Sequence, residues 1–226
     1  MPENRKLLLL GAGGHCRSVL DSLLVLSTYH EIGLVDNNYT EISEAEAGLN
    51  SQNILLKCRY MGGDITLERL FSEGFSDAFI TVGSIGNVSV RKKLYAKLKQ
   101  IGFRIPNIFD KSCIVSEFSI LGEGIYVGKN AVINANTQIG NCAIVNTSSV
   151  IEHDCIIGDF VHTASGSILC GNVQVDDGAH IGAGSVVRQG IHIGEDTVIG
   201  LGSVVVKDIA SKTVAYGNPC KEVEHE

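Results

Sequence analysis

Two kinds of hydrophobic spacing divide the chain. From Val115 a step of six residues lands on Leu121, Val127, Ile133, Ile139, Val145, Ile151, Ile157, Thr163, Leu169, Val175, Ile181, Val187, Ile193, Ile199 and Val205, and fifteen of these sixteen positions are aliphatic. The residue two before each is mostly small or β-branched, as at Ser119, Ala131, Thr137, Ser149, Ser167 and Ser203. Gly follows directly at 122, 128, 140, 158, 182, 194 and 200. A period of six is neither the 3.6 of a helix nor the 2 of a lone strand. Short strands joined by sharp corners produce it. Three hexads then close one triangular coil, with the aliphatic residue inward, a small residue beside it, and Gly or Asn supplying the turn. Sixteen hexads predict about five coils at a spacing of roughly 4.8 Å, with residues three hexads apart stacked one above another.

The first half reads differently. An apolar run over residues 6–10 ends in Gly11-Ala12-Gly13-Gly14-His15, and helical spacing follows from Ser18 to Leu24. A second apolar stretch, Ile32 to Val35, ends in Asp36-Asn37, and a third, Ala78 to Val82, ends in Gly83-Ser84-Ile85-Gly86-Asn87. With helix-like segments near 65–73 and 88–102, strands alternate with helices. That order predicts a small Rossmann-like parallel sheet with its ligand at the carboxyl ends of the strands. The fold expected is therefore an α/β domain over 1–110 and an all-β solenoid over 111–226.

The glycine loop departs from a dinucleotide fingerprint, because Cys16 stands where the last glycine belongs. What remains is a run of backbone N–H groups ahead of a helix, suited to the phosphates of some nucleotide. Asp36, at a strand end, is a candidate acceptor for a ribose or base. A tight strand-to-helix connection without ligand is the competing reading of the same residues.

Composition narrows the function. The 226 residues hold 26 Gly and 3 Pro, no Trp, and 6% aromatics, which fits many tight corners and excludes a helical bundle. Formal charge is −7. Residues 1–112 carry 13 basic and 12 acidic side chains, and the remainder 5 and 13, so a nucleic-acid groove on the solenoid is not expected. Seven cysteines form no C-x-x-C pair and no His cluster has zinc-ligand spacing, so neither a metal site nor a disulfide framework is indicated. No 18 apolar residues run together, and the expectation is a cytoplasmic protein without a membrane partner.

The six-step is the hexapeptide-repeat pattern of left-handed parallel β-helices. Joined to a GAGGH-bearing half, and carrying Asn146-Thr147-Ser148-Ser149-Val150-Ile151-Glu152-His153-Asp154-Cys155, the chain resembles the nucleotide-4-amino-sugar N-acetyltransferases and their relatives, the sialic acid O-acetyltransferases. The likeness runs from Gly11 to Lys221. It implies acetyl-CoA as co-substrate, a homotrimer, His153 as general base, Asp154 as its acidic partner and Asn146 in the same pocket. It further implies His162 near the acyl-CoA, and a sugar-nucleotide pocket from Gly11, Gly13, Gly14, His15 and Asp36, with Gly83 and Ser84 in the matching Gly83–Gly86 segment.

The residues argue for the same chemistry. An amine attacking a thioester sheds a proton as the C–N bond forms, and an imidazole suits that task. His153 falls two residues after an inward position, where a side chain reaches solvent. Gly171, eighteen residues on, should offer an exposed backbone N–H to the developing oxyanion. Pairing of His153 with Asp154 requires corner geometry or a neighbouring subunit, because consecutive strand residues point oppositely. His180 should stack beside His162. For CoA, a pantetheine path along Ala183, Gly200 and Leu201 is expected, with Lys221 at the phosphates. The leading expectation is acetyl transfer to the 4-amino group of a UDP-, GDP- or dTDP-linked 4-amino-4,6-dideoxy sugar. O-acetylation of sialic acid or a related hydroxyl, and a non-catalytic nucleotide-sugar-binding trimeric scaffold, are the alternatives.

Overall fold

A computed structural model describes residues 5–38 and 53–223. These described residues fall into two compact units, one within Met1–Gly83 and Val90–Pro106, the other within Ser84–Ser89 and Asn107–Glu226.

The first unit runs β1 (Lys6–Leu10), α1 (Gly14–Leu26), β2 (Glu31–Val35), β3 (Arg59–Gly62), α2 (Leu67–Ser72), β4 (Asp77–Ile80) and α3 (Ser89–Ile101). The strands pair in parallel in the order β3-β2-β1-β4. Leu7 to Leu10 are buried on both sides of the sheet, as a central parallel strand requires. The sheet is the one expected from the three apolar runs, with β3 added as an edge strand too short to stand out in the pattern.

The second unit is a left-handed parallel β-helix of two-residue strands. Its first face stacks strands from β5 (Ile108–Phe109) through 126–127, 144–145, 162–163, 180–181 and 198–199 to Val214–Gly217. The second face runs from 114–115 to 204–205, and the third from 120–121 to 192–193. Partners such as Ile144 and His162, Val150 and Ile168, and Ile156 and Gln174 stand eighteen residues apart. There are about six coils, one more than expected. One strand ahead of the series, at Phe109, and one after it, at Val214, complete the sixth coil; Phe109 keeps the six-residue register but is aromatic and so lies outside the aliphatic series. At the far end Val198 pairs with Val214, a shorter coil, and an antiparallel hairpin with Cys220–Glu222 closes the prism.

The inward residues from Val127 to Val205 fill the core, and most are fully buried. Thr163, the break in the series, is buried too. Its Oγ1 accepts from Ser149 Oγ at 3.0 Å and donates to the Ile144 carbonyl at 3.3 Å, while Ser149 and Ser167 Oγ are 3.0 Å apart. A buried hydroxyl chain thus satisfies itself at one corner.

The left-handed residue of each turn is the one three after the inward position, and Gly or Asn supplies it at most corners, as expected. From Gly124 through Asn130, Asn136, Cys142, Ser148, Asp154 and onward to Gly202, every sixth residue has φ between 52° and 72°. A non-glycine residue there costs on the order of 1 kcal/mol, which Asn and Asp lessen by local hydrogen bonding. The Gly after the inward residue serves close stacking. A Cβ on Gly182 would sit 2.5 Å from Leu201 N in the next coil.

Candidate active site

His153 and Asp154 occupy the corner between the second and third faces. The left-handed Asp154, at φ 61°, folds its carboxylate back toward the preceding side chain, so the two meet within one chain. His153 Nδ1 lies 2.8 Å from Asp154 Oδ2, and Asn136 Nδ2 donates to Asp154 Oδ1 at 3.2 Å from the coil before. The hydrogen bond to His153 first, and that from Asn136 second, hold the Asp154 carboxyl below its ordinary range. An ionised carboxylate only accepts, so the ring proton belongs on Nδ1 and Nε2 keeps its lone pair. The His153 side chain is 63% exposed. This is the protonation pattern of a general base.

The next coil supplies the seat for the ring. A Cβ on Gly171 would lie 2.6 Å from His153 Cε1 and 2.7 Å from Nε2, so the imidazole rests across the bare glycine. Gly171 is therefore buried under the ring, where an exposed backbone N–H was expected. The neighbouring Cys155 donates its thiol to the Cys170 carbonyl at 3.3 Å, and burial pushes its pKa up to about 11. That thiol stays protonated and is no competing nucleophile.

A different corner, between the first and second faces, holds most of the expected acyl-CoA residues. His162 Nδ1 is 3.1 Å from the Ser84 carbonyl and Nε2 is 3.3 Å from Asn146 Nδ2. Asn146 Oδ1 accepts from the Thr147 N–H at 2.8 Å. His180 stacks edge-on against His162 with ring centroids 4.9 Å apart, as the eighteen-residue spacing foretold. Farther along the same edge Ala183 and exposed Leu201 share a column, where Gly202 N donates to the Ala183 carbonyl at 2.8 Å. Gly200 lies against Tyr216, which pairs with Lys221 in the closing hairpin. Within one chain Asn146 thus belongs with His162, one corner away from His153, and not in the pocket of the base.

The first unit carries a cavity of about 490 Å³ at the carboxyl ends of β1, β2 and β4. Gly11, Gly13, Gly14, His15, Asp36 and Gly83 all line it, as expected. Positions 13 and 14 have open space where a Cβ would go, and Gly13 caps α1 without a side chain. The start of a helix presents backbone N–H groups that no earlier turn can pair, and here they face the cavity wall formed by Gly13, Gly14 and His15. Asp36 has a structural task in addition to any contact with a ribose or base. Its Oδ2 accepts from the Ala12 N–H and its Oδ1 from the Asn38 N–H, both at 2.7 Å, so it braces the glycine loop. Ser84 is not among the lining residues and serves His162 instead. Sequence reasoning missed the rim pair Asn37 and Asp64, where Asn37 Nδ2 donates to Asp64 Oδ2 at 3.0 Å and Asp64 N to Asn37 Oδ1 at 2.9 Å. It also missed Asn136, whose one signal is its place eighteen before Asp154. Among the described residues no group of His, Cys, Asp and Glu could hold a metal ion.

Comparison with known proteins places this geometry. Residues 6–98 match the PglD N-terminal domain and residues 154–189 match the bacterial transferase hexapeptide (six repeats). PerB from Caulobacter crescentus, solved in complex with CoA and GDP-perosamine, is 33% identical with a TM-score of 0.85, over 97% of each chain. The chain belongs to the nucleotide-sugar acetyltransferases. The acetyltransferase domain of PglB from Neisseria gonorrhoeae, solved with acetyl coenzyme A, is 32% identical over 98% of this acyltransferase and all of that chain, with a TM-score of 0.85. WeeI from Acinetobacter baumannii, at 22% identity and a TM-score of 0.81, shares the fold over 97% of this chain.

Proposed function

We propose that this acyltransferase moves an acetyl group from acetyl-CoA to the 4-amino group of a nucleotide-linked 4-amino-4,6-dideoxy sugar, with His153 as general base. The observation that carries the reading is the His153–Asp154 pair lying over Gly171, with Nε2 unoccupied. As the amine nitrogen bonds to the thioester carbonyl carbon, Nε2 takes the proton the nitrogen sheds. Asp154 steadies the imidazolium that results. The tetrahedral adduct collapses with loss of the CoA thiolate, which leaves as thiol once it is protonated. The Gly171 backbone N–H, in the coil after the ring, is the donor we assign to the oxyanion, reached when the imidazole shifts aside for the thioester. Gly11, Gly13, Gly14 and His15 hold the nucleotide in the first-unit cavity, whose open helix N-terminus suits a diphosphate. The PerB complex with CoA and GDP-perosamine supports both substrates.

A homotrimer joins the two corners. The outward column of the second face is Ile114, Val132, Val150, Ile168, Val186 and Val204, all aliphatic, whereas the third face presents Ile120, Gln138, Ile156, Gln174 and His192. An apolar column of this kind on a two-sided sheet marks an interface. Threefold packing on it sets the His153 corner of one protomer against the corner of the next that carries Asn146, His162, Gly200 and Leu201. All described cysteines are free, in keeping with a cytoplasmic site of action.

The test is release of free CoA from acetyl-CoA by the purified chain, with and without UDP-, GDP- or dTDP-linked 4-amino sugars. Light scattering on the same preparation should give three copies. An amide product is expected. A hydroxylamine-sensitive ester would favour the O-acetyl alternative, and binding of the sugar nucleotide with no CoA affinity would favour the scaffold.

A further inference from the structure

His162 differs from His153 in that both ring nitrogens are engaged. The Ser84 carbonyl can only accept, so Nδ1, 3.1 Å away, carries the proton. Nε2 then holds the lone pair that accepts from Asn146 Nδ2 at 3.3 Å, and the Asn146 amide is oriented by its own Oδ1 on Thr147 N–H. His180 lies edge-on over the ring and is itself buried. A proton on Nε2 would set N–H against N–H, so the arrangement suits a fixed neutral ring and not an acid or base. The segment it grips is the one that leaves the cavity. Gly83 lines the cavity, Ser84 is the next residue, and Gly86 and Val88 then lie against Val198 and Gly178 of the first face.

We propose that His162 is a positioning residue that clamps the 84–89 segment with one nitrogen and the Asn146 amide with the other, so that the chain leaving Gly83 is fixed in place on the second unit. The kinetic part of this inference rests on the acyltransferase reading above. The clamp itself does not.

Two variants separate the two bonds. In His162→Asn the side-chain amide stands where Nδ1 stood, keeping the donation to Ser84 and losing Asn146. In His162→Gln the amide reaches the Nε2 position, keeping Asn146 and losing Ser84. His162→Asn should lower kcat about tenfold with KM for the nucleotide sugar near normal, the scale of one lost hydrogen bond. His162→Gln should raise that KM about tenfold with a smaller loss in kcat. Hydrogen exchange, read without any substrate, should show faster exchange over 84–89 in His162→Gln and not in His162→Asn. Equal kcat losses in both variants with unchanged KM and exchange would make His162 a catalytic group and overturn the proposal. Wild-type values in both would overturn it as well. If the wild-type chain transfers no acetyl group, the acyltransferase reading fails, and the contrast in exchange alone decides the clamp.

Discussion

At the second-to-third corner a largely exposed imidazole donates from Nδ1 to a carboxylate 2.8 Å away, with Nε2 over Gly171. At the first-to-second corner another gives its Nδ1 proton to a carbonyl 3.1 Å away, and its Nε2 is occupied by an amide. The two rings share a tautomer and a scaffold, and stand nine residues apart in sequence. What separates the proposed base from the proposed clamp is whether the second nitrogen has room to receive a proton and a counter-charge to stabilise it. Asp154 supplies that charge to His153. His162 has a neutral carbonyl, an amide and a second buried imidazole around it.

The sharpest way to break this contrast is His153→Ala. Acetyl transfer should fall on the order of 10²–10⁴-fold, measured as kcat by CoA release. A near-wild-type rate would remove His153 from the chemistry.

Gly171→Ala should come next. The added methyl occupies the place of the imidazole, a side chain that can swing away, so the protein folds with little change in Tm while kcat drops by roughly 10–100-fold. Retained kcat would show that the seat under the ring is not needed.

The smallest effect concerns His180, on the clamp side. Burial holds its pKa below the ordinary 6.5, so the folded state keeps it neutral. The unfolded chain binds more protons below that value, so stability rises with pH through this window and is lost as pH falls. Tm should decline between about pH 7.5 and about pH 5.5 more in the wild type than in His180→Asn. Equal declines would assign the acid sensitivity elsewhere.

Much of this was legible in the sequence because a solenoid turns spacing into position. The six-step fixed which residues point inward, and adding eighteen located Gly171 above His153 and His180 above His162. The cavity was legible for a similar reason. Strand ends in a parallel sheet gather on one edge, so Gly11, Asp36 and Gly83 had to meet. The first strand was hidden because Phe109 keeps the register with an aromatic ring. The roles of Asp36 and Ser84 were hidden because backbone groups far along the chain claim them, at Ala12 and Asn38 for one and at His162 for the other.

The sequence by itself determined the coil, the sheet and the identity of the chemistry-bearing side chains, since these follow from local periodicity and residue type. Only the tertiary structure decided what each polar atom faces. Hydrogen bonds form within about 3 Å, and at that scale the direction of one left-handed turn, the missing Cβ of Gly171 or the passage of Ser84 over His162 settles whether an imidazole waits for a proton or holds the fold in place.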